Sequence, residues 1–382
     1  MKRILAIAII AIMGFTMVGT TYADTDKKDI ESSEIMKFSL EEAIDYALEH
    51  NRDMKIQDIN IEKADLGYDE ARYGIGKTND AIDKYGSGVV DAITEKLKDL
   101  GVTKRSAQLG VDIAKWNKDI KTNQIKYDVE KAYYDLQQIK NQYDIAKEGL
   151  ELARTIYNQS KVMFDVGTIS EQQLLASEVS LAQAESGLEE ARKYYELQRM
   201  SFNNALGLDL TTDIELTSQL TYEPHDYIKV EEGVKEALEK NAGLKVVKEN
   251  YELSKLSLEA TKVKYTPNTF RYKEKELAIQ EAAKSLDTVK IGVEMGVRSA
   301  YLSLETAEKQ IKTYQKASDK AKKSYDISQL RYKVGEGTLN DVTKARIDYM
   351  NAKKELNNKI HAYNLALLDY RYSKGLGKNV IG

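Results

Sequence analysis

Apolar and small residues recur along this chain in steps of four and three that do not slip. Ile125, Val129, Ala132, Leu136, Ile139, Tyr143, Ala146, Leu150, Ala153, Tyr157, Ser160 and Phe164 form one such seam. A seven-residue rhythm of this kind predicts a helix that supercoils left-handedly around a partner. From Val111 to Phe164 it would run ~80 Å at about 1.5 Å per residue. A helix of that length is not stable alone, so its stripe must pack on other helices. Leu174, Ser177, Leu181, Ala184, Leu188, Ala191, Tyr195, Gln198, Phe202 and Ala205 resume the rhythm after a short turn. So short a turn makes the two helices antiparallel. Within it, Gly167 can end the incoming helix with positive φ. Ser170 with Gln173 can box the start of the outgoing one. The pattern predicts helices over roughly 120–164 and 171–205.

The same pattern appears twice. Val129, Ala132, Tyr133, Leu136, Ala153, Tyr157, Val166 and Gly167 recur 168 residues later as Val297, Ala300, Tyr301, Leu304, Ala321, Tyr325, Val334 and Gly335. The second tip, Lys333 to Thr338, is capped by Thr338 with Asp341. A further match at offset 190 pairs Glu41, Glu42, Ala47, Leu48 and Asn51 with Glu231, Glu232, Ala237, Leu238 and Asn241. The offsets differ by 22, so the first copy carries about that many extra residues between Tyr73 and Val129. A duplication of this length sets the architecture. The prediction is an all-α fold of two tandem repeats, each a long antiparallel coiled-coil hairpin. Each repeat opens on a shorter amphipathic helix; the first starts at Ser39, with Glu42 reaching back to cap it. A break is expected at Asn51 and at Asn241, where asparagine tolerates a left-handed residue.

Composition adds an address. Lys2 and Arg3 precede the apolar run Ile4 to Val18, and Thr21-Tyr22-Ala23 has the small-residue pattern of a cleavage site, so residues 1–23 read as a signal peptide. The repeats then occupy 24–222 and 223–382. Cleavage removes two positive charges and no negative ones, moving the formal charge from −4 to −6 and arguing against nucleic acid as a partner. With no cysteine, the exported chain has neither disulfides nor thiolate chemistry. No other apolar run is long enough for a transmembrane helix. His50, His225 and His361 are isolated, and no metalloprotease, nucleophile-elbow or phosphate-loop motif is present, so neither catalysis, a cofactor nor a metal is expected. The 25 tyrosines fall largely on the seams and read as packing residues.

These residues resemble the TolC-like outer-membrane efflux family. "FSLEEAIDYALEHN" and "IKVEEGVKEALEKN" are similar to the openings of its two repeats, "VEKAYYDL" and "VRSAYLSL" to its long helices, "FDVGTISEQQLL" and "YKVGEGTLNDV" to its hairpin tips, and "NNALGLDL" to the end of its first repeat. The resemblance implies a homotrimeric helical tunnel in the cell envelope. It also implies tips that meet a periplasmic adaptor and an inner-membrane pump. One stretch departs from the family. Where each family repeat inserts a β-hairpin into the outer membrane, Gly74 to Gly110 has apolar residues at helical spacing. The matching stretch of the second copy is too charged for a lipid-facing strand pair. The expected fold therefore keeps the tunnel and lacks the barrel, which puts membrane contact in question.

Two sets of residues are candidate sites. Val166, Gly167, Ile169 and Ser170, with Val334, Gly335 and Thr338, match the family's adaptor-facing tip. The glycines, Ser170 and Thr338 serve equally as helix caps, whereas an apolar residue at a tip has little core to enter. Tyr332 and Asp341 fall where the family constricts its inner end, with Gly337 and Lys344 standing where it can carry an arginine and a second acid. A capping aspartate and a seam tyrosine are the plainer roles for that pair. Two functions remain open: an efflux or secretion duct, and a barrel-less, non-conducting coiled-coil protein of the envelope.

Overall fold

A computed structural model describes residues 35–375. In chain order these form β1 (Met36–Phe38), α1 (Leu40–His50), α2 (Arg52–Tyr85), a 3-10 turn (Ser87–Val89), α3 (Ala92–Asp99), α4 (Val102–Asp165), α5 (Glu171–Leu206), β2 (Ile214–Leu216), α6 (Val230–Lys240), α7 (Ala242–Thr261), α8 (Phe270–Lys333) and α9 (Leu339–Ser373). The proposed signal peptide lies outside the described residues. No described helix is long and apolar enough to cross a membrane.

The seams fold as their rhythm predicts, and further. α4 and α8 each run 64 residues, about 96 Å at the α-helical rise. Each long helix packs antiparallel on its successor, α4 on α5 and α8 on α9, and α4 also packs on α9. The four long helices therefore form a layer in the order α5, α4, α9, α8.

Each hairpin has its own core. In the first, Val129, Tyr133 and Leu136 of α4 meet Phe202 and Leu206 of α5. In the second, Val297, Leu304 and Ile311 of α8 meet Tyr363 and Tyr370 of α9. Nearer the tips a third cluster crosses between repeats, joining Ile156 of α4 to Tyr325, Leu339 and Val342.

The breaks ahead of the long helices come where expected, by a different mechanism. Asn51 and Asn241 are extended, not left-handed, with φ of −74° and −58°. Each is an N-cap: the Asn51 side chain accepts from the Asp53 amide and Asn241 from the Leu244 amide, both at 2.9 Å. Upstream, Ser39 and Glu42 form the predicted capping box.

A second difference is a short strand pair. Met36–Phe38 lies parallel to Ile214–Leu216 in the register Met36 to Ile214. Both runs alternate apolar, polar, apolar, but three residues are too few to stand out as a strand in sequence. The pair fastens the start of repeat one to its end, with Tyr133 Oη donating to the Phe38 carbonyl at 3.1 Å.

Gly74 to Gly110 is helical apart from the 3-10 turn with its flanks and the turn at Leu100-Gly101, so α2 is much longer than the opening helix expected there. It half-buries a stripe at Met54, Gln57, Ile61, Ala64, Tyr68, Ala71 and Ile75, steps of three and four along α4. Lys118 with Asp58 and Lys121 with Asp53 set its antiparallel register. In the second repeat only residues 262–269 separate α7 from α8. No strand occurs in either place among the described residues.

Candidate functional site

The two tips share one construction. After α4, Gly167 sits at φ +77°, its amide donating to Phe164 O at 2.8 Å and the Thr168 amide to Met163 O at 2.8 Å. After α8, Gly335 at φ +80° donates to Tyr332 O, and Glu336 to Arg331 O. This paired closure satisfies the last carbonyls of each helix and needs a left-handed residue, hence glycine. The outgoing helices begin on capping boxes. Ser170 N–H donates to Gln173 Oε1 at 2.9 Å, and Thr338 N–H to Asp341 Oδ2 at 2.9 Å. Gly167, Ser170, Gly335 and Thr338 therefore all shape the turns.

The apolar tip residues have no such task. Val166 is 68 % exposed and Val334 63 %, while Ile169 is half-buried. One turn back, Val162 and Leu330 are also exposed, so each tip presents a two-residue apolar face. Sequence reasoning missed Val162 and Leu330. Their signal was an apolar residue four before the tip valine in both copies.

Tyr332 and Asp341 have separate partners. Tyr332 packs into the cluster near the tips and donates to Met163 Sδ at 2.9 Å; burial raises its phenol above the ordinary range. It also borders a cleft of about 490 Å³ between α4 and α8, lined by Asn158, Gln159, Val162 and Met163. Asp341 belongs to the Thr338 cap, and donation from the Thr338 hydroxyl and amide holds its carboxyl below the usual range. A Cβ on Gly337 would lie 3.3 Å from both Arg331 Cβ and the Tyr332 nitrogen, so this tight turn favours glycine where the family can carry arginine.

Where the repeats meet, α4 and α9 run antiparallel along a ladder of polar pairs. Tyr127 donates to Asp369 at 2.8 Å, and Glu130 accepts from Arg371 and Tyr372 at 2.8 Å each. Next come Asp135 with His361 at 2.7 Å, Gln138 with Asn358 at 2.9 Å, and Glu148 with Lys353. Burial would raise the Asp135 carboxyl, but hydrogen bonds from His361 and Lys131 outweigh it, and the group sits below its usual range. Burial and the Glu130 hydrogen bond hold the Tyr372 phenol well above its own. Among the described residues, no group of three His, Cys, Asp or Glu side chains could hold a metal ion.

This architecture has counterparts among solved structures. A membrane protein from Pseudomonas aeruginosa superposes with a TM-score of 0.72 at 12% identity, over 90% of this chain and 92% of that one. The outer membrane protein VceC from Vibrio cholerae does so at 0.66 and 12%, over 89% and 97%. The Campylobacter jejuni CmeC outer membrane channel does so at 0.65 and 16%, over 88% and 86%. At such identities the likeness is one of fold. No curated protein matches the chain. The model of the outer membrane efflux protein family matches residues 267–368, the stretch holding most of α8 and α9. Residues 267–368 therefore match the outer membrane efflux protein family, and the described chain has a TolC-like fold.

Proposed function

We propose that this protein is an exported subunit of a TolC-like efflux or secretion duct in the cell envelope. Three copies would close a helical tunnel whose tips dock with a periplasmic adaptor and, through it, an inner-membrane pump. The duct would move small molecules or proteins outward and catalyse nothing. Each repeat, 24–222 and 223–382, contributes one hairpin.

The observation that carries this reading is an open layer with two apolar edges. α5 exposes Leu175, Val179, Tyr194 and Leu197; α8 exposes Leu277, Ile291, Met295 and Leu302. Patches of this kind mark interaction sites. Two different edges joined head to tail generate a ring when the rotation closes. The tips then point one way, with Val162, Val166, Leu330 and Val334 offered to an adaptor. Tyr332 and Asp341, at the second tip of each copy, would border the narrow end.

Changing Val166 and Val334 together to Asp tests the docking role. The sites are exposed, so the expected loss of stability is within about half a kcal/mol each. A charge desolvated in an apolar contact is expensive, so co-purification with an adaptor encoded beside the protein should be lost. Unchanged binding would remove the tips as the docking site. A large drop in unfolding temperature would make the valines core residues.

The helical fold of 74–110 favours a second reading, a barrel-less coiled-coil protein that does not conduct. Heat-modifiable migration of the full chain, as membrane barrels show, would exclude that reading.

A further inference from the structure

Arg346, on α9, is 6 % exposed, and no carboxylate among the described residues pairs with it. Its Nη1 donates to the Gly149 carbonyl at 3.1 Å and its Nη2 to Ser180 Oγ at 3.0 Å. Its Nε is buried with no hydrogen-bond partner. Buried charges are ordinarily paired, because an unpaired one carries the full cost of desolvation. Burial here pulls the guanidinium down from its ordinary range, with only the Tyr325 phenol opposing.

This cation borders a cleft of about 380 Å³ between α4, α5 and α9. That is within the range of small-molecule sites, roughly 300–1,000 Å³. The walls are largely apolar, with Ile145 and Ala146 from α4, Ala184 and Ala191 from α5 and Met350 from α9, while Gln142 and Asn351 add polar groups. α5 makes the room by presenting small residues, and a Cβ on its Gly187 would meet nothing within 4 Å. At the rim Lys354 adds a second cation and Glu190 one acid, leaving the cleft net positive.

We propose that this three-helix cleft binds an amphiphilic carboxylate, its apolar body against Ile145, Ala146, Ala191 and Met350 and its head on Arg346. The carboxylate supplies what the fold withholds from Arg346, a counter-charge. The apolar walls supply affinity for an acyl or cyclic body. The site lies within one chain and does not rest on the duct reading.

Decanoate, kept below its micelle-forming concentration, is the probe. Decyltrimethylammonium is the control of opposite charge. Decanoate should raise the unfolding temperature of the full chain in a saturable way, and the cation should not. Arg346→Met should weaken decanoate binding by about tenfold or more, as loss of a charge-assisted bond predicts. Gly187→Leu fills the cleft from its open side and favours the helix, so it should fold well and also lose the response. It keeps the test decisive if Arg346→Met does not fold. Equal responses to the two amphiphiles would mean apolar partitioning and overturn the proposal. So would a decanoate response surviving in Gly187→Leu or in folded Arg346→Met. If decanoate has no effect while Arg346→Met disrupts self-association, the counter-charge is a carboxylate of a second copy, and the small-molecule site is overturned.

Discussion

The seams inside the hairpins and the seam between them are built from opposite materials. α8 meets α9 through Val297, Leu304, Ile311, Tyr363 and Tyr370, and α4 meets α5 through an equally apolar set. α4 meets α9 largely through the ladder of Glu130, Asp135, Gln138 and Glu148 with their partners. The apolar seams supply free energy through burial, which is non-directional and says little about register. The polar seam supplies less, because each pair must first give up water. In exchange it specifies which residue sits opposite which, since a slip of one turn would break every pair. The hairpins are thus stable units, and the ladder indexes one against the other.

Leu304 and Glu130 offer the largest contrast. Leu304 is fully buried, so Leu304→Ala should cost about 2–5 kcal/mol. Glu130→Ala removes an acceptor of two hydrogen bonds from one charged and one phenolic donor, but Arg371 is half-exposed and can turn to water. The expected cost is about 1–3 kcal/mol. Thermal or denaturant unfolding of both variants checks the order. A Glu130→Ala loss exceeding that of Leu304→Ala would mean that the ladder, not the cores, holds the fold.

Acid should reach the ladder through Asp135. Its folded pKa lies below its unfolded one, so its contribution is present above the ordinary carboxylate range and is lost as pH falls through the folded value. Asp135→Asn should therefore flatten the decline in stability below about pH 4 and lower stability modestly at neutral pH. An unchanged acid limb would mean that the His361 and Lys131 bonds do not persist in solution.

The hairpins were legible in the sequence for a physical reason. Their seams are apolar, and periodic burial of apolar groups is what a heptad reading detects. The tips were legible because a left-handed turn needs glycine and an exposed helix start needs a cap. The ladder was not. Its members on α4, Tyr127, Glu130, Asp135, Gln138 and Glu148, lie beside the apolar stripe at uneven steps, with no four-three rhythm to mark them. Most of them are polar, and a solvated face and a paired interface look alike in one sequence. Arg346 was hidden for the same reason, since nothing local marks one arginine among many as buried. The strand pair was hidden by its length, and α2 by stripe positions such as Gln57 and Ala64 that are polar or small.

A third kind of surface completes the comparison: the outer faces of α5 and α8, apolar like the hairpin seams and unpaired in one chain. They are the basis for reading the molecule as one segment of a ring. Sedimentation equilibrium of the full chain at micromolar concentration tests that reading most directly. The account predicts one closed species of three chains, dissociated by Leu197→Asp in α5 or Leu302→Asp in α8 without unfolding of the hairpins. A stable wild-type monomer would contradict it.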